Sequence, residues 1–406
     1  MEQLARRLGV PDAVVIGLGS MLGAGVFVVF APAASAAGGV GLLVALALAG
    51  FVAFCNATSS ARLAARYPES GGTYVYGRER LHPFAGFLAG WGFVVGKTAS
   101  CAAMALTVGA YLWPGRARLV AVLAVVAVTA VNLRGIGKTA TATRILVAVV
   151  LTVLAVVAVT GAPQVTVDRL TAPADVGAHG VLTAAGLLFF AFAGYARIAT
   201  LGEEVRDPER TIPRAVPLAL GAVLAIYLTL AVVALGVLGT DRLAASPAPL
   251  VDVVTAAGHP GLAWLVRAGA AVAVTGVLLS LLAGVGRTTL AMGRRRDLPA
   301  ALAAVHPRHR VPHRAELAVA AVVIVVVALA DVRGAIGFSS CTVLVYYAIT
   351  NAAALTLRRG GRLLAALGLV GCLLLAVNLP LPSVLGGFGV LALGALWYAL
   401  RHTRTT

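Results

Sequence analysis

From Ala13 to Ala61 the chain carries no charged residue. No soluble fold can hide so long a neutral, apolar stretch, and similar runs of roughly 20 residues recur to the C-terminus, the length that crosses a bilayer as a helix. Across all 406 residues, 60% are hydrophobic and 12% charged, against about 25% charged in an ordinary soluble domain. The runs are continuous rather than alternating in segments of about ten residues, which excludes a membrane β-barrel. The expected fold class is an all-α polytopic membrane protein with about twelve transmembrane helices.

The spans fall at about 12–31, 39–63, 84–112, 118–134, 141–161, 180–202, 214–239, 262–286, 314–331, 335–357, 363–379 and 382–400. With the N-terminus placed in the cytosol, 24 of the 32 basic residues lie on the inner side and 6 on the outer, with Lys97 and Arg197 inside spans. Lys/Arg asymmetry of this kind sets orientation, so both termini are expected in the cytoplasm of a multi-pass cell-membrane protein. The net charge of +17 then belongs to loops beside headgroups, and no nucleic-acid partner is expected. Cys55, Cys101, Cys341 and Cys372 sit in apolar runs without CxxC spacing and read as small core residues rather than disulfides or metal ligands. No cleavable leader and no soluble domain are apparent, so 1–406 reads as one transmembrane domain.

Within the first run, Gly17, Gly19, Gly23 and Gly25 fall in nine residues. Each glycine costs a helix interior about 1 kcal/mol relative to alanine, so this helix is expected to open in the middle. Irregular backbone inside a bilayer is tolerated only where it is buried in protein or lines a cavity. A second break is expected in the sixth span, at Phe189–Ala196. Spans one and six begin two units of five spans, about 12–161 and 180–357, which the odd number makes inverted repeats; spans near 363–400 are additional. Paired broken helices in inverted halves point to a central substrate site.

An opened first helix offers two kinds of group. The half-helix starting near Gly23 presents free N–H groups and a positive dipole end, which can hold a carboxylate with no charged side chain. Freed carbonyls around Gly19, Ser20 and Met21, and near Phe192 and Ala193, can accept from an ammonium. Together they describe an α-amino acid. The glycines would equally serve close helix packing alone.

The segment Gly17–Phe27, the loop Tyr67–Tyr74, the stretch Phe189–Pro213 and the stretch Arg287–Pro307 resemble, in order, signature segments of the amino acid–polyamine–organocation superfamily. That resemblance implies a secondary transporter of the five-plus-five inverted fold. It puts the carboxylate on Ala24 and Gly25, the amino group at Met21, an aromatic gate at Phe190 and the unwound turn at Phe192, Ala193 and Gly194. Two departures stand out: Val150 occupies the place of a fifth-span lysine found in proton-coupled members, and Ala196 then Arg197 follow the sixth-helix turn, where some relatives for cationic substrates have an acid.

The intramembrane cations therefore carry weight. Lys97 lies mid-span, where a charge costs about 2.5–3.5 kcal/mol on insertion scales. It could replace the missing lysine as a proton carrier, with Thr275, Gly276 and Ser280 on the facing part of the eighth helix, or snorkel to an interface. Arg197 is expected to pair with Glu203 or Glu204, and those acids with inner-loop bases. His179 and His259 read as solvated. No nucleophile, metal-ligand cluster or phosphate loop accompanies them, so neither enzymatic activity, a cofactor nor a metal is expected. The leading expectation is an amino-acid permease working by alternating access, with proton coupling left open. A polyamine or organic-amine transporter, an amino-acid exchanger and a non-transporting sensor on the same scaffold are the alternatives. Oligomeric state is not readable.

Overall fold

The computed structural model describes residues 8–67, 71–135, 140–171, 177–199, 205–357 and 360–402. These residues fold almost entirely as helices; the β-structure among them is one isolated bridge, Leu8 to Val205. Among the described residues, ten helices are long and apolar enough to cross a membrane. The first crossing is split into α1 (Val10–Met21) and α2 (Ala24–Val28), and α3 (Phe30–Ala37) carries the chain onward. Next come α4 (Gly39–Arg66), α5 (Thr73–Arg80), α6 (Pro83–Leu112), α7 (Ala117–Leu133) and α8 (Ala140–Gly161). The second part holds α9 (Ala178–Phe192), α10 (Pro208–Leu238), α11 (Ala263–Arg294), α12 (His313–Leu329), α13 (Val332–Leu355), α14 (Arg362–Val377) and α15 (Leu381–His402). α12 and α14, of 17 and 16 residues, stand where the sequence places the ninth and eleventh spans.

Local chemistry sets the ends. Pro83 and Pro208 open α6 and α10, positions where a missing N–H costs nothing. The Asp331 carboxylate accepts from Gly334 N–H at 2.7 Å and caps α13, satisfying one of the donors that every helix start leaves free. Gly38 and Gly239 end their helices with positive φ, 63° and 73°, a conformation open to glycine at no steric cost.

Packing divides the helices into lined and lipid-facing sides. Leu123, Val159, Leu329, Val370 and Leu393 are exposed, the surface a bilayer would cover. The inward faces of α4, α6, α9 and α13 are lined by small residues and aromatics; α13 packs against α6, α4 and α9, and α9 against α4.

Two regions read as loops in the sequence are helical. The stretch after Gly72 forms α5, and the segment after α10 folds into two short helices, Thr240–Ala245 and Pro249–Ala256, the first of which packs on α3. α5 is tied down by one acid. Asp297 accepts from the Tyr74 hydroxyl at 2.5 Å and from the Arg78 guanidinium at 2.9 Å, while its own carbonyl accepts from Trp397 Nε1 at 2.9 Å. Burial, reinforced by the bond to Asp297, raises the Tyr74 phenol above its ordinary range, so it remains a donor. α5, the end of α11 and α15 are thereby joined at the end of the bundle that also holds Leu8 and Val205.

Candidate substrate site

The first break lies between Met21 and Ala24. Leu22 N–H closes the last turn of α1 onto Leu18 O at 2.8 Å, and Gly23 N–H turns back onto Met21 O at 2.8 Å. Gly23, at φ −113° and ψ −142°, leaves the helical region, and α2 restarts at Ala24. The first N–H groups of a restarting helix have no acceptor within it. The second break follows Phe192: Ala193–Tyr195 form a tight 3-10 turn and Ala196–Ala199 a further helical turn.

The two breaks touch. A Cβ placed on Gly194 would stand 2.2 Å from Ser20 O and 2.9 Å from Met21 N, so the sixth-helix turn lies directly on the first helix's last carbonyls. One turn away, a Cβ on Gly25 would meet Ala191 Cα at 2.5 Å. Gly25 thus has a packing reason to be glycine, whatever it also binds. Gly19 packs on Val147 and Thr143 of α8, and Gly23 on Val277 of α11. Ser20 donates its hydroxyl to Ile16 O at 2.9 Å. Met21, Ala24, Phe190, Phe192 and Ala193 are all buried.

Tyrosines from neighbouring helices reach the freed backbone. The Tyr227 hydroxyl, on α10, lies 2.7 Å from Met21 O and 3.1 Å from Ala191 O, one carbonyl from each broken helix. Its ring meets Phe192 edge-on with centroids 5.2 Å apart. Tyr347 of α13 donates to Ala193 O at 3.4 Å, and Tyr111 of α6 to Phe27 O at 2.6 Å. Sequence reasoning missed these residues. For Tyr227 the available signal was a lone phenol in an aliphatic span, since a buried Tyr hydroxyl usually finds a partner.

Toward the Leu8 end, part of α11 is uncovered. Val277, Ser280 and Gly284 share one face of α11 at helical spacing. Val277 packs on Gly23, whereas Ser280 is exposed and nothing lies within 4 Å of where a Gly284 Cβ would be. α1 packs against α8 and α10 there, and it is α2, past the break, that reaches α6 and α11.

The coupling candidates are spread over three places. Lys97 is 7% exposed in α6 and makes no hydrogen bond or ion pair among the described residues. Thr275 and Gly276 line a groove of about 470 Å³ between α7 and α11 with Val128, Val131 and Leu279. Ser280 is exposed on the face of α11 that carries Val277. Arg197 is exposed, and Glu203 and Glu204 lie outside the described residues.

Residues 12–374 match the profile of the amino acid permease family. This chain belongs to that family. The permease is 62% identical to an uncharacterized transporter of Mycobacterium tuberculosis, over its whole length and 93% of the relative's. It is 26% identical to the methylthioribose transporter and to the branched-chain amino acid permease BcaP of Bacillus subtilis, each alignment spanning 77% of this permease and 72% of the relative. Family membership and the apolar helices make the permease a multi-pass membrane transporter.

Proposed function

We infer that this permease carries α-amino acids across the cell membrane by alternating access, binding them where Gly194 rests on Ser20. What carries the reading is that contact: it brings the start of a half-helix at Ala24 and the freed carbonyls of Met21 and Ala191 into one buried place. The carboxylate sits at the N–H groups near Ala24 and Gly25, where the dipole favours an anion. The ammonium sits at the carbonyls. Phe190 closes over the substrate. The neighbouring side chains Phe190, Phe192 and Val277 are apolar, which suits a neutral substrate side chain.

In this reading 12–161 and 180–357 are inverted repeats, both termini lie in the cytosol, and the uncovered stretch of α11 beyond Val277 lines the cytosolic route. Spans one, two, six and seven rock against the rest. Lys97, buried in α6 without a charged partner among the described residues, exchanges a proton during the cycle. We assign the permease no catalytic step.

The B. subtilis methylthioribose relative supports a second reading, a substrate with neither carboxylate nor ammonium. Proteoliposome uptake of the twenty standard L-amino acids, putrescine and methylthioribose, with and without an imposed pH gradient, separates the two. Saturable uptake of amino acids fits the first reading; uptake of methylthioribose alone fits the second.

A further inference from the structure

We propose that Tyr227 is a substrate-recognition residue whose hydroxyl rotates between two carbonyls to admit the ammonium of the substrate. The proposal rests on the amino-acid reading above.

Met21 O is fully engaged. It accepts from Gly23 N–H at 2.8 Å and from the Tyr227 hydroxyl at 2.7 Å, which uses both lone pairs of a carbonyl. An incoming ammonium can take Met21 O only if one donor leaves. Gly23 N–H is fixed by the turn that breaks the helix. The phenol is not fixed: its single proton can point to Met21 O or, by rotation about the C–O bond, to Ala191 O at 3.1 Å. The ring need not move, and it is held by full burial and by Phe192.

With the proton turned to Ala191 O, the phenol oxygen shows its lone pairs toward Met21 O. An ammonium then has two acceptors side by side, Met21 O and Tyr227 Oη, and two of its N–H groups are used. The same rotation ties the carbonyl of the sixth helix to Tyr227 when the first helix engages substrate. Recognition therefore requires at least two N–H groups on one nitrogen. A merely structural tyrosine would have no such preference.

Wild type and Tyr227→Phe are compared in proteoliposomes on the best transported of the twenty standard L-amino acids. The variant keeps the ring and loses the hydroxyl. Losing a hydrogen bond to a charged group should raise KM about ten- to a hundredfold, with kcat within about threefold of wild type. Competition by the deaminated acid, which has no ammonium, should be equally weak in both proteins. In wild type alone, N-methylation should cost little and N,N-dimethylation, which leaves one N–H, about tenfold in potency. Unchanged KM, a fall confined to kcat, or equal potency of the dimethylated competitor would overturn the proposal while leaving the amino-acid reading intact. Absence of uptake of every amino acid by wild type would overturn both. Should Tyr227→Phe not fold, the methylation series on wild type decides.

Discussion

Gly194 lies against Ser20 so closely that one methyl group at its Cα would stand 2.2 Å from the Ser20 carbonyl oxygen. The neighbouring atoms are backbone, with no flexible end to swing aside. Gly194→Ala must therefore separate the two broken helices. The expected outcome is a permease that inserts and folds but transports at less than about a tenth of the wild-type rate, since a displacement of about 1 Å can cost that much or more. Uptake normalised to folded protein in the membrane checks it.

Gly25 faces a similar constraint. Its substitution would press on Ala191 Cα, and overpacking a well-filled core costs about 1–3 kcal/mol. Gly25→Ala should lower the melting temperature of the purified permease as well as its uptake. Loss of uptake with an unchanged melting temperature would mean that the packing contact is not what excludes a side chain there.

Phe190 is buried beside the second break. Phe190→Ala should raise KM by about tenfold or more by removing the lid over the substrate, a loss of about 1.4 kcal/mol or more, whereas Phe190→Tyr or Phe190→Trp should retain activity. Concentration-dependent uptake by the three variants tests this. Wild-type behaviour of Phe190→Ala would remove the gate from this position.

Lys97 is buried without a charged partner among the described residues. Lys97→Ala should abolish the response of uptake to an imposed pH gradient and leave substrate binding in place. Lys97→Arg should arrest the cycle, because a guanidinium stays protonated. If Lys97→Ala keeps the full response, the proton travels elsewhere or is not a substrate.

The first helix break was legible in the sequence because its cause is local: four glycines clustered within a neutral apolar run mark backbone that helices avoid. The second, which holds Gly194 alone, was legible through its place at the start of a second five-span unit and its resemblance to a family segment. The spans were legible from the length of their apolar runs. The α5 helix and the two short helices at Thr240–Ala245 and Pro249–Ala256 were not, being too short for periodicity to register. Tyr227 and Val277 could not be assigned from sequence, since each matters through a contact with a helix distant along the chain. Thr275 and Gly276 illustrate the same limit. Spacing places them on α11, but which face of α11 looks toward the break depends on the helix's rotation against α6 and α7, and the face that meets Gly23 carries Val277.

In the amino-acid reading, the touching breaks bind an α-amino acid by both of its charged ends. Thermal stabilisation of the purified permease tests it most directly, because ligand binding to the folded state raises the melting temperature by mass action. Each standard L-amino acid is compared with its methyl ester, lacking the carboxylate, and its deaminated acid, lacking the ammonium. One or more neutral amino acids should stabilise the permease, and neither truncated form should do so at the same concentration. Equal stabilisation by the ester or by the deaminated acid would contradict that reading.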